Sequence, residues 1–207
     1  MLKAMELWGR IPAALAVAAL AGAPAVAQVA DGTYLIQARH SDKAVDLPGG
    51  NTTDGTQLHQ WSASSSNLNQ QWVLTRQSDG FYEIAWNGNT SKVWDKPNGV
   101  SATVLPNGTA LTIKTDDNGN SQRFSLTATD SGYYRITPKN NSAKAIDVSG
   151  FSTADGAGLH YWDYLGGQNQ QWKFTPVGSG GGGTRDPFAI TQAESENTFG
   201  GDFNGSQ

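Results

Sequence analysis

Between residues 31 and 177, large apolar side chains alternate with polar ones in short runs of four to six residues. Clusters of Gly, Asn, Asp and Ser, such as PGGNTTDG at 48–55, separate these runs. A period of two bounded by turn-forming residues predicts short β-strands joined by turns. No segment in this part of the chain keeps a helical period, so the pattern predicts an all-β fold.

The same pattern recurs three times. The glycines that open GTYLIQA, GFYEIAW and GYYRITP are separated by 48 and 52 residues, and the aspartates of KAVDL, KVWDK and KAIDV by 49 and 52. The glutamines that begin QQW, QRF and QQW are separated by 52 and 48. We therefore predict three repeats, at about 31–78, 79–130 and 131–177. One unit of about four strands cannot bury its own apolar face, so the three units must pack around a shared axis.

The predicted core consists of the large apolar residues that recur at equivalent positions of the repeats. These are Leu35, Ile84, Ile136, Val45, Trp94, Ile146, Trp72, Phe124 and Trp172.

Composition supports an all-β fold and narrows the choice of partner. Charged residues make up 15% of the chain, and 25 residues are glycine. The net charge of −4 gives no basic surface for nucleic acid or an anionic membrane, so we expect a neutral partner. Cysteine is absent, which excludes disulfides and thiolate metal sites. We expect no metal and no other cofactor.

The two ends of the chain differ from its middle. Lys3 and Arg10 precede an Ala-rich apolar run that ends in Ala-Val-Ala at 25–27, which is typical of a signal peptide cleaved near Ala27. We therefore expect residues 1–27 to be removed, and the product to be secreted or periplasmic. Residues 178–184 read as a Gly/Ser linker. Residues 185–207 are too few to fold alone and read as the start of an incomplete second module.

Two segments repeat polar residues that a core does not require. LHQWSASSSNLNQQW at 58–72 and LHYWDYLGGQNQQW at 159–172 hold Asn and Gln at the same distances from the last Trp, and His and the first Trp within one residue of the same distances. A neutral sugar offers hydroxyl groups and an apolar face of C–H groups. A carboxylate, a carboxamide and a flat aromatic ring are the side chains that complement those two features.

These residues resemble the ricin-type lectin domain, a family that includes the family 13 carbohydrate-binding modules. The resemblance rests on the Asp after an apolar pair, the aromatic residue some fifteen positions later and the closing Gln-x-Trp or Gln-x-Phe, and it covers residues 31–177. It implies a β-trefoil of three repeats with pseudo-threefold symmetry, spanning residues 28–177. The tail DPFAITQAES is weakly similar to the start of a family 6 carbohydrate-binding module.

The resemblance also implies which residues bind sugar. In this family the Asp and the amide residues bind hydroxyls, and the aromatic ring stacks on the sugar. The first site would contain Asp46, His59, Trp61, Asn69 and Gln70, and the third site Asp147, His160, Trp162, Asn169 and Gln170. The two histidines stand where the family often has Gln.

The second repeat departs from this pattern. Asp95 and Gln122 remain, but Lys114 stands where the other repeats have Trp, and Ser121 replaces the Asn. We expect this degenerate site to be weak or silent, because it lacks a stacking ring.

Other roles for these residues remain open at this stage. The Gln of each Gln-x-Trp could instead bind the backbone of a turn, and the aspartates could cap turns. The whole domain could also be a protein-interaction β-trefoil that binds no sugar. Catalysis is disfavoured, because the sequence has no Gly-x-Ser-x-Gly or His-Glu-x-x-His motif and its repeated carboxylates occur once per unit.

Together these features predict a secreted, non-catalytic carbohydrate-binding module. We expect it to be a monomer that is tethered to further modules and brings a parent polysaccharide-active enzyme to its glycan. The identity of the sugar is left open.

Overall fold

A computed structural model of the protein describes residues 28–178. The predicted signal peptide, nearly all of the linker and the predicted second module lie outside these residues. No helix within the described part of the chain is long and apolar enough to span a membrane.

The described chain forms thirteen short strands and five single 3₁₀ turns. The strands are β1 Gly32–Ala38, β2 Ala44–Asp46, β3 His59–Trp61, β4 Trp72–Arg76, β5 Tyr82–Trp86, β6 Asn89–Asp95, β7 Thr109–Ala110, β8 Thr112–Thr115, β9 Phe124–Ala128, β10 Tyr134–Pro138, β11 Lys144–Val148, β12 Leu159–Asp163 and β13 Trp172–Pro176. The 3₁₀ turns span Pro48–Gly50, Leu68–Gln70, Asn120–Gln122, Ser149–Phe151 and Gln168–Gln170.

Six of these strands close into an antiparallel barrel. The ring of pairings runs β1–β4–β5–β9–β10–β13 and returns to β1. Each predicted repeat range contains two neighbouring strands of the ring. Closure removes the unpaired sheet edges that a single repeat would expose.

The other long pairings form three hairpins at one end of the barrel. They are β2–β3, β6–β8 and β11–β12, one in each predicted repeat range. Three leucines join the hairpins, because Leu58 N–H donates to Leu111 O, Leu111 N–H to Leu159 O and Leu159 N–H to Leu58 O, at 2.9 to 3.0 Å. All three leucines are fully buried. This architecture confirms the predicted β-trefoil.

Every residue of the predicted core is buried. In the second repeat two side-chain sizes are exchanged: Trp94 stands where the other repeats have Val45 and Ile146, and Phe124 stands where they have Trp. The Trp94 ring packs edge-on against Trp72 at 5.4 Å and against Phe124 at 6.0 Å. The larger indole therefore offsets the smaller phenyl ring in a core that must stay close-packed.

Polar contacts also join neighbouring repeats in a cycle. The lysine that precedes each apolar-apolar-Asp segment reaches the repeat before it: Lys43 Nζ lies 2.6 Å from Asp155 Oδ1, and Lys92 Nζ lies 2.7 Å from Asp54 Oδ1. The third member, Lys144, donates to Asn107 Oδ1 at 2.5 Å. The first of these contacts links the first repeat to the third.

Candidate functional site

The hairpin registers place the candidate residues side by side. In the β2–β3 hairpin, Asp46 lies opposite His59, and Ala44 lies opposite Trp61. In the β11–β12 hairpin, Asp147 lies opposite His160, and Trp162 is again two positions further along. Residues two apart on a strand share a face, so each His and Trp point the same way as their Asp.

In the first repeat these residues line a hollow of about 220 Å³. Asp46 Oδ1 lies 3.0 Å from His59 Nε2, and Asp46 Oδ2 accepts from Gln70 Nε2 at 3.0 Å and from Asn67 Nδ2 at 3.3 Å. Since a carboxylate only accepts hydrogen bonds, His59 Nε2 is the donor in this contact. The carboxylate is therefore held from three sides. Within residues 28–178 it accepts from no backbone N–H, whereas the carboxylate of a turn cap would.

An exposed indole forms the wall of this hollow. Trp61 is 44% exposed, and its ring lies nearly parallel to that of His59, with ring centroids 5.4 Å apart and planes at 27°. A large aromatic side chain gains nothing from this exposure in an isolated fold. The imidazole supports one face of the indole and holds it in place.

The third repeat builds the same arrangement with a larger hollow, of about 380 Å³. His160 Nε2 lies 2.9 Å from Asp147 Oδ1, and Asn169 Nδ2 donates to Asp147 Oδ2 at 2.8 Å. The Trp162 ring lies 5.2 Å from the His160 ring at 24°. Asp147 accepts two bonds where Asp46 accepts three, so it keeps more acceptor capacity for another partner.

The glutamines of the Gln-x-Trp elements bind the backbone of the loop before them. Gln70 donates to Ser62 O and accepts from Ser64 N–H, while Gln170 donates to Asp163 O and accepts from Leu165 N–H. Both side chains are buried. Of the two roles that the sequence left open, the structure shows the backbone role. Gln70 also orients Asp46, whereas Gln170 reaches the edge of its hollow.

The two hollows use different asparagines to hold the carboxylate. In the third repeat it is the predicted Asn169, but in the first it is Asn67, two residues before the predicted Asn69. Asn69 lines the hollow, and its backbone N–H donates to Asn67 Oδ1. The sequence did not single out Asn67, although it lies only two residues before the predicted Asn69 and has the same side chain.

The buried tryptophans also position the carboxylates. Trp72 Nε1 donates to Val45 O at 2.9 Å, and Trp172 Nε1 donates to Ile146 O at 3.0 Å. Val45 and Ile146 immediately precede Asp46 and Asp147. The core indoles therefore fix the strands that carry the carboxylates.

The second repeat has no matching arrangement. Lys114 lies opposite Val93, the register position that Trp61 and Trp162 occupy in their hairpins, and Thr112 lies opposite Asp95. Lys114 Nζ lies 3.4 Å from Asp95 Oδ2 and 3.2 Å from Asp117 Oδ2. Burial opposes the charge of Lys114, but these two carboxylates outweigh it and raise its pKa. Gln122 keeps the backbone role, donating to Thr115 O.

Sequence reasoning missed two apolar side chains that line the third hollow. Phe151 and Leu165 are 53% and 78% exposed, and neither was singled out by the repeats. Phe151 aligns with Gly50 of the first repeat, so the mismatch was visible in the alignment. No group of three or more His, Cys, Asp or Glu residues suited to a metal ion occurs within residues 28–178.

The chain matches the family described as ricin-type beta-trefoil lectin domain-like over residues 25–104, 68–162 and 140–185. It belongs to that family, as the repeats and the fold indicate. The comparison with curated proteins found no match.

Three solved structures illustrate the range of similar proteins. ThreeFoil, a designed threefold-symmetric protein, is 35% identical with a TM-score of 0.64, over 71% of this chain and 100% of that protein. An exo-β-1,3-galactanase from Clostridium thermocellum is 29% identical with a TM-score of 0.64, over 70% of this chain but 30% of the galactanase. A ricin B-like lectin from Macrolepiota procera, solved with lactose, is 19% identical with a TM-score of 0.59, over 72% of this chain and 99% of the lectin, and shares the fold alone.

Proposed function

We propose that this domain binds neutral saccharides through the hollows of its first and third repeats and catalyses no reaction itself. One observation carries the proposal. In both hollows a carboxylate, held by an imidazole and a carboxamide, lies two register positions from a Trp that stacks on the same imidazole.

This arrangement suits the two kinds of surface on a sugar. The fixed carboxylate accepts from hydroxyl groups, and charge-assisted hydrogen bonds of this kind are the stronger ones. The indole offers a flat apolar surface for the C–H face of the ring. Because Asp46 and Asp147 are held by several neighbours, neither must be ordered when a ligand arrives, which lowers the entropic cost of binding.

The number of carboxylates supports a purely binding role. Glycoside hydrolysis uses two carboxyl groups on either side of one bond. Among the described residues that line them, each hollow has a single carboxylate, Asp46 or Asp147. A parent enzyme would therefore supply catalysis from elsewhere in a longer chain.

We further propose that the domain is secreted, extracellular or periplasmic, and directs a polysaccharide-active partner to its glycan. The signal-peptide pattern of residues 1–27 and the linker pattern after Gly178 support this proposal. So does the likeness to part of a galactanase. Two hollows on one rigid domain would bind a long chain more tightly than either binds one sugar unit, through effective concentration.

Titration of tryptophan fluorescence with soluble β-1,3-galactan, arabinan and xylan tests the proposal. We expect one of these polymers to quench or blue-shift the emission. In the Trp61→Ala, Trp162→Ala double variant the affinity should fall by about tenfold or more, because both stacking surfaces are lost.

A matched control is Leu68→Ala, since Leu68 is as exposed as Trp61, at 44%, but lies outside the hollow. It should bind the polymer like the original protein. Equal molar affinity for monosaccharide and polymer would contradict two-site binding. Failure to bind any member of a broad glycan panel would favour the alternative, a protein-interaction β-trefoil.

A further inference from the structure

Two positions of the first and third hollows are exchanged in a complementary way. Gly50 of the first repeat corresponds to Phe151 of the third, and Asn67 of the first corresponds to Gly167 of the third. The first hollow therefore has an amide at one of these positions and no side chain at the other, whereas the third hollow has a phenyl ring at the second position and no side chain at the first. In both repeats the shared asparagine, Asn69 or Asn169, lies close to one of these positions.

The surroundings of these positions differ between the two repeats. In the third repeat, a Cβ on Gly167 would lie 2.5 Å from Asn169 Oδ1 and 3.9 Å from Phe151 Cε2, so a side chain there would collide with Asn169 and a longer one would also reach the ring. Asn169 is held in that place by its bonds to Asp147 Oδ2 and Val148 O. In the first repeat, a Cβ at Gly50 would already lie 3.1 Å from Asn69 Oδ1.

Phe151 holds a backbone conformation that favours glycine. Its φ is +55°, and the equivalent Gly50 makes the same turn at +67°. A bulky residue with positive φ is uncommon, and such strain persists mainly where a side chain has a function. The turn itself does not need the ring, because the first repeat forms it without one.

His40, from the first repeat, also positions the phenyl ring of Phe151. The His40 and Phe151 rings lie edge to face, with centroids 4.8 Å apart. His40 Nε2 lies 2.8 Å from Ser152 O, to which it donates, and so holds the residue after Phe151. The ring is thus held in place although the residue is 53% exposed.

We propose that the third hollow binds two consecutive sugar units and the first hollow binds one. This inference rests on the proposed function. One unit is held by Asp147, His160 and Trp162, as its counterpart is in the first repeat. The second unit packs its C–H face against Phe151, beside Leu165, in the additional volume that separates about 380 Å³ from about 220 Å³.

The part of the third hollow beside Phe151, which binds the second sugar unit, should accept different sugars. The exposed side chains added to the third hollow, Phe151 and Leu165, carry no hydrogen-bonding group, so they favour apolar contact over a particular pattern of hydroxyls. Gln170 also lines this hollow, but it is buried and its amide is bonded to Asp163 O and Leu165 N–H. The part of the hollow beside the fixed carboxylate of Asp147, which binds the first sugar unit, discriminates between sugars. Phe151 is therefore a specificity-determining residue for ligand length.

Calorimetric titration of single-hollow proteins tests the proposal with three pairs of probes: galactose and β-1,3-galactobiose, xylose and xylobiose, arabinose and arabinobiose. In the Trp61→Ala protein only the third hollow keeps its Trp. For the pair of probes that binds, the affinity of this protein for the disaccharide should exceed its affinity for the monosaccharide by about tenfold. Phe151→Gly should reduce this ratio to about twofold or less, and Phe151→Tyr should retain it. Relief of the positive φ means that Phe151→Gly should not lower the unfolding temperature, which separates a binding role from a structural one.

The complementary experiment uses the Trp162→Ala protein, in which only the first hollow keeps its Trp. Here monosaccharide and disaccharide should bind equally, and Gly50→Phe combined with Asn67→Gly should create a preference for the disaccharide. A ratio near one in the Trp61→Ala protein, or a ratio that Phe151→Gly leaves unchanged, would overturn the inference. So would a phenyl glycoside that gains as much as the disaccharide, since Phe151 would then accept any apolar group. Binding of none of the probes or polymers would instead contradict the proposed function.

Discussion

Lys114 Nζ lies 3.4 Å from Asp95 Oδ2, at the register position where the other two repeats carry tryptophan. The Asp95 side chain is 0% exposed and that of Lys114 is 21% exposed. The second repeat has thus kept the carboxylate but pairs it with a cation of its own. Because Lys114 neutralises the Asp95 carboxylate, we expect this carboxylate to bind a sugar hydroxyl only weakly.

We predict that Lys114→Ala lowers the free energy of unfolding by about 3 kcal/mol, because it leaves a buried carboxylate without its cation. Urea denaturation measures this loss. Adding Asp95→Asn should recover part of it, since the buried charge is then removed. Lys92→Ala is the control, because its ion pair with Asp54 is exposed and should cost less than about 1 kcal/mol. Equal losses in the two lysine variants would contradict the assignment.

We predict that Asp147→Asn in a Trp61→Ala background weakens sugar binding by about tenfold or more, since an amide loses the charge that strengthens bonds from hydroxyls. Calorimetry with the polymer that binds the original protein measures the change. The matched control is Asp163→Asn, on the same hairpin but paired with Lys144 outside the hollow. If both variants weaken binding equally, the carboxylate of Asp147 has no special role.

We predict that Trp172→Phe lowers the free energy of unfolding by about 2 kcal/mol, because it removes buried volume and leaves Ile146 O without its donor. Chemical denaturation gives the value. Trp61→Phe should change stability by less than about 0.5 kcal/mol, since that ring is exposed. A neutral Trp172→Phe would mean that the third repeat tolerates the phenyl ring that the second repeat uses.

Acid should weaken the contacts between repeats. A hydrogen bond from Lys43 lowers the pKa of Asp155, and one from Lys92 lowers the pKa of Asp54. A carboxyl with a lower pKa in the folded chain stabilises the fold above its unfolded pKa of about 4, and this contribution disappears as pH falls through the folded pKa.

We therefore predict that the Asp54→Asn, Asp155→Asn variant unfolds about 2 °C below the original protein at pH 6, and that the two converge near pH 2. Thermal unfolding at several pH values measures the difference. Asp42→Asn, at a carboxylate outside these ion pairs, is the control and should match the original protein throughout. A difference that persists at pH 2 would point to packing rather than charge.

The fold was predictable because its signals are periodic. Three landmarks agreed on one repeat length, and an unpartnered four-stranded unit leaves closure around an axis as the stable solution. Alternation along the strand that contains Trp61 places it on the face of His59, but the pairing of His59 with Asp46 is a finding of the structure.

The finer chemistry of the hollows was less predictable. Asn67 and Asn69 are the same residue type two positions apart on one tight turn, and only the turn geometry decides which amide reaches Asp46. The role of Gln70 depends on whether its side chain points inward, which the spacing of Gln-x-Trp does not determine. Phe151 was missed because repeats draw attention to shared residues, and its importance lies in a difference.

The three leucines at the hairpin end, Leu58, Leu111 and Leu159, each donate to the next and accept from the previous one. An open solenoid can grow by adding units, but a closed ring of three has no vacant donor or acceptor for a fourth. Gene duplication can therefore enlarge this architecture only by copying it whole. Under the proposed function, greater avidity for a long glycan would come from strings of complete trefoils or from different modules joined to one.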